Sequence, residues 1–455
     1  MTDAVARLPR RLADLVSRAG RVSRAEVAWI VVNKSLEVVL LFTCLRLLTR
    51  DLGPEQFGEY NLALTANVVL AALLVVPVQQ AYLRYFHRAR ARGESWVVTR
   101  QVLAWYTLVT LGVVALAAVG SRALGRAFGI EAWTCLAAAL AFLADRWRIL
   151  GIQILNIQRR RTAWALQHLA FLSSQLVLLA VVLRAWPASV TAALLAYAMA
   201  SLLLATASVL TVRHLRADAD RTGRAPDTEF PTAVLSFGVP YGLLVLLQWV
   251  QGFSDRYLLG ALLDLEAVGV YVAAYQLCGV PFTLASSVVH TFVVPVAYAG
   301  AGDGRDLAGA PRVRDVLRSG VVLYVIVGLL AVAALILFGS RALASIADAR
   351  FTLPASVIAM LALGRFLEGL SVLLQVFYEV RQRMQCLFLI RFAAALALVA
   401  LCFALIRGVG LFGAALANLV AIGGYVTMML IGLHEREPRQ HPQPTLRAAL
   451  AREEA

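Results

Sequence analysis

Ionised side chains interrupt several long apolar stretches of this sequence, and their types suit the binding of an anion. Seven of them form three groups with neighbours three residues apart: Lys34 with Glu37, Asp145 with Arg146 and Arg148, and Arg365 with Glu368. An ionised side chain at the centre of a bilayer costs about 2.5–3.5 kcal/mol, so each is expected to face a cavity or a charged partner. The arginine guanidinium is a planar fork of donors that suits phosphate oxygens. We therefore treat the seven residues as candidate substrate-binding residues.

Two interpretations stay open for the first of these groups. Lys34 and Glu37 share about one helix face, and they could contact a ligand or form a static latch between the two halves of the protein. Arg148 and Arg365 occupy corresponding stretches of the two halves. That correspondence favours a symmetric pair of cations in a central cavity.

The remaining intramembrane charges have more ordinary explanations. Arg146 could pair with Asp145 or extend to the membrane surface, whereas Arg46 and Arg391 lie near the ends of their stretches, where such extension is favoured. The pair Asp255–Arg256 is expected to anchor an outer hairpin. Intramembrane bases nevertheless outnumber intramembrane acids six to three, which predicts a cationic interior.

The elements that position these charges are predicted membrane helices. The chain has 455 residues, of which 60% are hydrophobic and 15% charged, and its mean hydropathy is +0.76. A soluble core stops growing at about 250–300 residues, so a soluble fold could not bury this much apolar sequence. A membrane helix needs about 20 apolar residues. Twelve segments qualify, which we number as spans 1 to 12: 26–49, 57–84, 97–119, 131–157, 162–184, 188–212, 233–254, 267–299, 317–340, 352–378, 386–406 and 409–433.

The basic residues fix the predicted topology. Of the 42 lysines and arginines, 28 fall in the termini and alternate loops, eight in the other loops and six within spans. Basic residues accumulate in cytoplasmic loops, so both termini are predicted to be cytoplasmic. The net charge of +15 is therefore mostly topology, and it does not indicate a nucleic-acid partner.

An internal duplication divides the spans into two halves. The pattern E-x-[FV]-G-x-Y occurs at 55–60 and again at 266–271, 211 residues later. Because six spans per half is an even number, the repeat is parallel. We expect Gly58 and Gly269 to allow tight re-entry, and Tyr60 and Tyr271 to lie in the membrane interface. The predicted domains are a basic amphipathic segment 1–25, an N-terminal lobe 26–212, a linker 213–232, a C-terminal lobe 233–433 and a cytoplasmic tail 434–455.

Signatures of catalysis are lacking in the sequence. Five cysteines without a CxxC pair indicate neither a disulfide framework nor a zinc site. A P-loop, HExxH and a plausible GxSxG are also missing. The sequence therefore predicts a non-enzymatic protein with no cofactor and no metal.

The outer-loop motifs identify a family resemblance. The stretch 48–60, LTRDLGPEQFGEY, resembles the first outer loop of polysaccharide (Wzx-type) flippases, and so does the stretch 255–260, DRYLLG, followed by E-x-x-G-x-Y-x-x-A-Y at 266–275. These flippases belong to the multidrug/oligosaccharidyl-lipid/polysaccharide exporter superfamily. The resemblance extends over about 26–433. It implies an all-α polytopic membrane protein whose two parallel six-helix lobes form a V-shaped central cavity.

The resemblance also implies a function. It predicts a monomeric flippase of the bacterial inner membrane that moves undecaprenyl-diphosphate-linked oligosaccharide from the inner to the outer leaflet. Membrane lipid, a polysaccharide polymerase and a co-polymerase are the further candidate partners. Three alternatives stay open: a multidrug cation antiporter, which would want an acidic cavity, a lipid II flippase, which would have fourteen helices, and a scaffold that does not transport. A polymerase or glycosyltransferase would need a large outer loop with carboxylates, and the longest outer loop here has about a dozen residues.

Overall fold

All regular secondary structure in the described residues is helical. The computed structural model describes residues 24–128, 131–158, 160–219, 229–301, 311–380 and 383–434. Most of the predicted segment 1–25, most of the predicted tail and residues 220–228 of the predicted linker lie outside the described residues. The helices are Arg24–Leu74, Val76–Ala91, Ser95–Phe128, Ala132–Ile157, Arg161–Ala185, Val190–Ala219, Glu229–Ala233, Val239–Leu262, Leu265–Ala301, Pro311–Ile346, Ala355–Val380 and Met384–His434, with a π-helical turn at Val234–Gly238.

These helices supply the twelve predicted spans. Nine helices of the described chain are long and apolar enough to cross a membrane. Two of the nine contain a break, one at Gly53 and one at Val409–Gly410, so each holds two spans. Ala132–Ile157 is not among the nine because three charged residues interrupt its apolar sequence near the centre. With that helix counted, the total is twelve, and the protein is a multi-pass membrane protein.

The two breaks depend on glycine. Gly53 has a φ of +74° and Gly410 a φ of +59°, values that side chains with a Cβ rarely adopt. At Gly53 the chain leaves span 1 and enters span 2, and at Gly410 it passes from span 11 to span 12. Both turns lie at the same end of the molecule, which we call the hairpin end. The opposite end, which carries Arg92 and Glu229, is the linker end.

The two lobes meet at the hairpin end through the repeated motif. A Cβ added to Gly58 would collide with the carbonyl oxygen of Leu265 and lie 3.0 Å from the backbone nitrogen of Gly269. A Cβ added to Gly269 would collide with the carbonyl oxygen of Pro54 and lie 3.1 Å from the nitrogen of Gly58. The expectation that these glycines serve tight re-entry is wrong, because both are helical and neither has a positive φ. They allow two helices, one from each lobe, to touch backbone to backbone.

Buried side chains extend this contact into a shared core. One apolar cluster includes Leu45 and Phe57 of the N-terminal lobe together with Val268 and Phe351 of the C-terminal lobe. The rings of Phe57 and Phe351 meet edge to face at 5.8 Å between centroids. Because burial of apolar surface from both lobes stabilises the contact, the lobes are closed against each other at this end.

Hydrogen bonds between the lobes reinforce the closure. The Thr49 hydroxyl donates to the carbonyl oxygen of Ala347 at 2.8 Å. The guanidinium of Arg350, after span 9, donates to the carbonyl oxygen of Arg50 at 2.6 Å. Arg46, which the sequence predicts to extend to the surface, is exposed and donates to the carbonyl oxygen of Ser345 across the same interface.

A second contact between the lobes runs along spans 2 and 7 toward the linker end. A Cβ on Gly238 would collide with the backbone of Pro77, so these two helices also touch closely. Further along, Arg92 forms an ion pair with Glu229 at 3.0 Å, and the Tyr85 hydroxyl donates to the same carboxylate at 2.8 Å. These bonds to Glu229 raise the pKa of Arg92 above its ordinary value. The segment that begins the C-terminal lobe is thereby tied to span 2.

Candidate functional site

The candidate residues of span 1 form a polar cluster within the N-terminal lobe. Lys34 Nζ donates to Glu37 Oε2 at 2.8 Å, and Glu37 Oε1 lies 3.6 Å from Nε2 of His168 in span 5. The His168 ring stacks on Trp164 with 6.0 Å between centroids. Both partners of Glu37 belong to its own lobe. The cluster therefore joins spans 1 and 5, and the interpretation as a latch between the lobes is wrong.

The arginines of span 4 share one carboxylate. Asp145 accepts from the guanidinium of Arg146 and from Nε and Nη2 of Arg148, and it also accepts from the Tyr197 hydroxyl of span 6 at 3.0 Å. Cζ of Arg148 lies 3.8 Å from the ring centroid of Phe171 in span 5, a cation–π distance. Asp145 and Arg148 are both buried. One acid thus holds two cations, and the centre of this lobe carries a net positive charge.

Span 10 carries the corresponding group of the C-terminal lobe. Arg365 Nη1 donates to Glu368 and to the Tyr275 hydroxyl at 3.0 Å, and Tyr275 donates to Glu368 Oε2 at 3.2 Å. The guanidinium needs Gly279 beside it, since a Cβ there would lie 2.7 Å from Nη2 of Arg365. The side chain of Glu368 is 41% exposed, so this triad remains open on its acidic side.

A cavity of about 270 Å³ opens beside that triad, inside the C-terminal lobe. Five spans contribute to its wall, and the polar lining residues include Gln248, Gln251, Glu368, Gln375, Arg391 and Asn418. Because most of these side chains carry amide groups, the cavity can donate and accept hydrogen bonds.

Arg391 is the residue that the sequence placed wrongly. It is predicted to extend to the membrane surface, yet only 6% of it is exposed, and it lines the cavity. Its Nη2 donates to the Tyr425 hydroxyl at 2.9 Å and to Gln375 Oε1 at 3.1 Å. Within the described residues its Nη1 is buried without a hydrogen-bond partner, and no carboxylate forms an ion pair with it. A cation is thus held in the cavity wall by neutral groups.

Asp255 and Arg256 also belong to the interior. Span 7 continues to Leu262, so these residues lie within the helix that leads into the outer hairpin, and they are 0% and 5% exposed. Asp255 Oδ2 accepts from the Tyr271 hydroxyl at 2.7 Å and from Asn418 at 3.3 Å. Cζ of Arg256 lies 5.0 Å from the ring centroid of Tyr275. The pair links spans 7, 8 and 12 beneath the cavity.

The tyrosines of the repeated motif, like Asp255 and Arg256, are buried inside the protein. Tyr60 is 3% exposed and Tyr271 is fully buried, so the expectation of an interfacial position is wrong for both. Tyr271 donates to Asp255, and Tyr60 packs in the apolar core shared by the two lobes. A phenol in a dry interior needs a hydrogen-bond partner, and Asp255 supplies one for Tyr271.

Each lobe holds by its own residues one of the two arginines that the sequence paired across the lobes. Arg148 is held by residues of spans 4, 5 and 6, and Arg365 by residues of spans 8 and 10. No described contact joins the two arginines. They occupy equivalent positions, each bound to an acid three residues away on its own helix. Each lobe therefore carries its own cationic group.

Metal-binding and disulfide chemistry find no support in the described chain. No cluster of three or more histidine, cysteine, aspartate or glutamate residues there could hold a metal ion. The five cysteines are free thiols, and three of them are buried. They pack as small apolar side chains.

Comparison with known families and structures shows which family the chain belongs to. A family model described as polysaccharide biosynthesis protein matches residues 23–298, which is more than half of the chain. The chain belongs to this family. No curated protein matches the sequence in a direct comparison.

Solved structures agree on the fold of this chain. A multidrug resistance MATE family transporter of the MOP superfamily, in an inward-facing conformation, has a TM-score of 0.67 at 14% identity, with 88% of this chain and 92% of that chain covered. Lipid II flippase MurJ, in an inward closed conformation, has a TM-score of 0.67 at 13% identity, with 88% and 87% covered. A MOP superfamily transporter from Pyrococcus furiosus has a TM-score of 0.64 at 15% identity, with 88% and 92% covered. The predicted fold, two parallel six-helix lobes around a V-shaped central cavity, is confirmed.

Proposed function

We propose that this protein is a flippase that moves a polyprenyl-diphosphate-linked oligosaccharide from the inner to the outer leaflet of the bacterial cytoplasmic membrane. It would serve the synthesis of a cell-surface polysaccharide such as exopolysaccharide, capsule or O-antigen. Membership of the polysaccharide biosynthesis family and the MOP transporter fold support a transport role in that synthesis. In this proposal both termini and the linker end are cytoplasmic, the hairpin end faces outward and the protein is not an enzyme.

The observation that carries the proposal is the excess of buried cations over carboxylates inside the lobes. Arg146 and Arg148 share Asp145, and Arg391 has no described carboxylate partner. Burying an unpaired ionised group costs several kcal/mol, so such an excess favours an anionic ligand that supplies the missing charge. The diphosphate of a lipid-linked sugar has that charge. A transporter of hydrophobic drug cations would need the opposite balance.

Alternating access would follow from how the lobes meet. The lobes are closed at the hairpin end by the contact between Gly58 and Gly269, so the entry side would be the linker end, beside the Arg92–Glu229 ion pair. Substrate would enter there, bind the cationic groups and leave when the lobes rock open at the hairpin end. The contact between Pro77 and Gly238 is suited to act as a pivot, because no side chain separates the two helices. The polyprenyl tail would stay in lipid beside the cavity.

A direct experiment reconstitutes the protein in vesicles that carry a lipid-diphosphate-linked oligosaccharide in a known leaflet. The measurement is the fraction that becomes accessible at the other leaflet, for the wild type and for Arg148→Ala and Arg365→Ala. Arg148→Ala leaves Asp145 paired with Arg146, so the lobe should still fold. Arg407→Ala, on the exposed hairpin turn before span 12, is the matched control.

We expect flipping by the wild type and by Arg407→Ala, and a loss of roughly tenfold or more for the other two, because a charge-assisted hydrogen bond contributes about 1.5–3 kcal/mol. No flipping by inserted, folded wild type would contradict the proposed function. The same vesicles distinguish a flippase from the main alternative, because a multidrug antiporter would transport a cationic dye instead of the lipid-linked oligosaccharide. Association with a polymerase or co-polymerase would be detected by co-purification from membranes.

A further inference from the structure

The cavity inside the C-terminal lobe differs from the central cleft of a two-lobed transporter, because residues of one lobe form its lining. It lies among spans 7, 8, 10, 11 and 12. Its volume of about 270 Å³ corresponds to about nine water molecules, at roughly 30 Å³ each. That space suits one sugar ring and is too small for an oligosaccharide. We infer that this cavity is a subsite for a single acidic sugar residue of the transported oligosaccharide. This inference rests on the proposed function.

The charge of the wall selects an anion. Arg365 neutralises Glu368, the carboxylate among the cavity-lining residues, so that pair leaves no net charge. Arg391 is a second cation in the wall, and its direct partners are Tyr425 and Gln375, whose amide in turn donates to the Glu379 carboxylate at 2.7 Å. Its Nη1 is more than nine-tenths buried with the rest of the residue, and it has no partner in the described chain. A carboxylate on the ligand would complete its hydrogen bonds and its charge.

The remaining lining residues suit hydroxyl groups. Gln248 and Gln251 come from span 7, Asn418 from span 12 and Ser371 from span 10. Amide side chains both donate and accept, as the vicinal hydroxyls of a sugar do. Tyr275 adds an aromatic ring to the wall. A bare diphosphate would use the arginine and leave most of these acceptors without a partner.

The test titrates purified wild type with glucuronate, glucose and inorganic diphosphate, followed by saturation-transfer NMR on the ligand. Glucose is the neutral match to glucuronate, and diphosphate represents the other anion that the substrate could present. Two variants probe the wall: Arg391→Gln removes the cation, and Gln251→Leu, on a different helix, removes a hydroxyl partner. Arg407→Gln is the matched control, because it makes the same change on the exposed turn before span 12.

We expect glucuronate to bind the wild type at least tenfold more tightly than glucose. Arg391→Gln should abolish that preference, Gln251→Leu should weaken both sugars, and Arg407→Gln should change neither. Equal binding of the two sugars by the wild type would overturn the assignment. Diphosphate that displaces glucuronate at a tenfold lower concentration would also overturn it, since the anion would then be the lipid diphosphate.

Vesicle assays separate this subsite from the proposed function. Arg391→Gln should slow the flipping of a lipid-linked oligosaccharide with a uronate residue at least tenfold and leave its neutral counterpart unaffected. If Arg391→Gln flips both substrates as the wild type does, the subsite is overturned and the proposed function stands. If the folded wild type flips neither, the proposed function fails, and the NMR titration still decides the subsite.

Discussion

The contact between the repeated glycines predicts that one methyl group at the hairpin end will change the resting state of the transporter. In Gly269→Ala the new Cβ would overlap the carbonyl oxygen of Pro54, which belongs to the other lobe. Neither lobe can relieve this clash by a side-chain rotation, because every atom involved except the Cβ is backbone. The lobes must separate at this end, and the closed arrangement is destabilised.

The size of the effect follows from the geometry. Overpacking in a close contact costs about 1–3 kcal/mol, and each 1.4 kcal/mol is a tenfold change in an equilibrium constant. The ratio of hairpin-closed to hairpin-open molecules should therefore fall roughly 5- to 150-fold. Each lobe should keep its stability, since alanine is favoured over glycine in a helix by about 1 kcal/mol.

Spin labels at opposite sides of the hairpin end provide the assay. Trp186 lies exposed after span 5 and Arg407 after span 11, so cysteines at these positions, in a background without the native cysteines, report the separation of the lobes. Double electron–electron resonance should show a longer distance between the two spin labels in Gly269→Ala than in the wild type. Gly112→Ala is the matched control, because nothing lies within 4 Å of a Cβ at that glycine. Unchanged distances in Gly269→Ala would refute the reasoning.

Three further predictions follow from ion pairs. Asp145→Asn leaves two arginines without their carboxylate, and thermal unfolding should show a loss of about 3–5 kcal/mol; a loss below 1 kcal/mol would contradict the assigned role. Glu37→Gln should cost about 1 kcal/mol or less in the same measurement, because its partners are partly exposed and such pairs contribute little. The pKa of Asp348 is lowered from its ordinary value because the backbone N–H and then the guanidinium of Arg350 donate to its carboxylate. Its stabilising effect is present above the ordinary pKa of 3.8 and is lost as the pH falls through the lowered pKa. Asp348 holds Arg350, which donates to the carbonyl oxygen of Arg50 in the other lobe. The hairpin-end distance should therefore lengthen only under acid, and Asp348→Asn should remove that dependence.

Local sequence patterns determined most of the architecture. The length and spacing of the apolar stretches predicted twelve spans, because a bilayer requires helices of a fixed minimum length. The repeated motif at 55–60 and 266–271 predicted two equivalent lobes. Helical periodicity predicted the pairs Lys34–Glu37 and Arg365–Glu368, since a spacing of three brings side chains together on a helix.

Contacts between distant spans could not be read from such patterns. The sequence placed Arg391 at the membrane surface because it lies close to the end of an apolar stretch. In the structure Tyr425, 34 residues away, holds it inside a lobe. Its neighbours Gln375 and Gln248 are signals that could have been found, since polar residues at mid-span need partners or water.

The sequence by itself therefore determined that this protein crosses a membrane many times, that its halves are related and that its interior is cationic. Those properties depend on composition, periodicity and repetition along the chain. Only the tertiary structure decided what surrounds the ion pairs of Asp145, because Tyr197 and Phe171 come from two helices other than that of Asp145. The packing of five helices likewise decided that Arg391 lines a cavity with an unpaired donor. A side chain's position along the chain sets its depth in the membrane, and the packing of the helices sets what it touches.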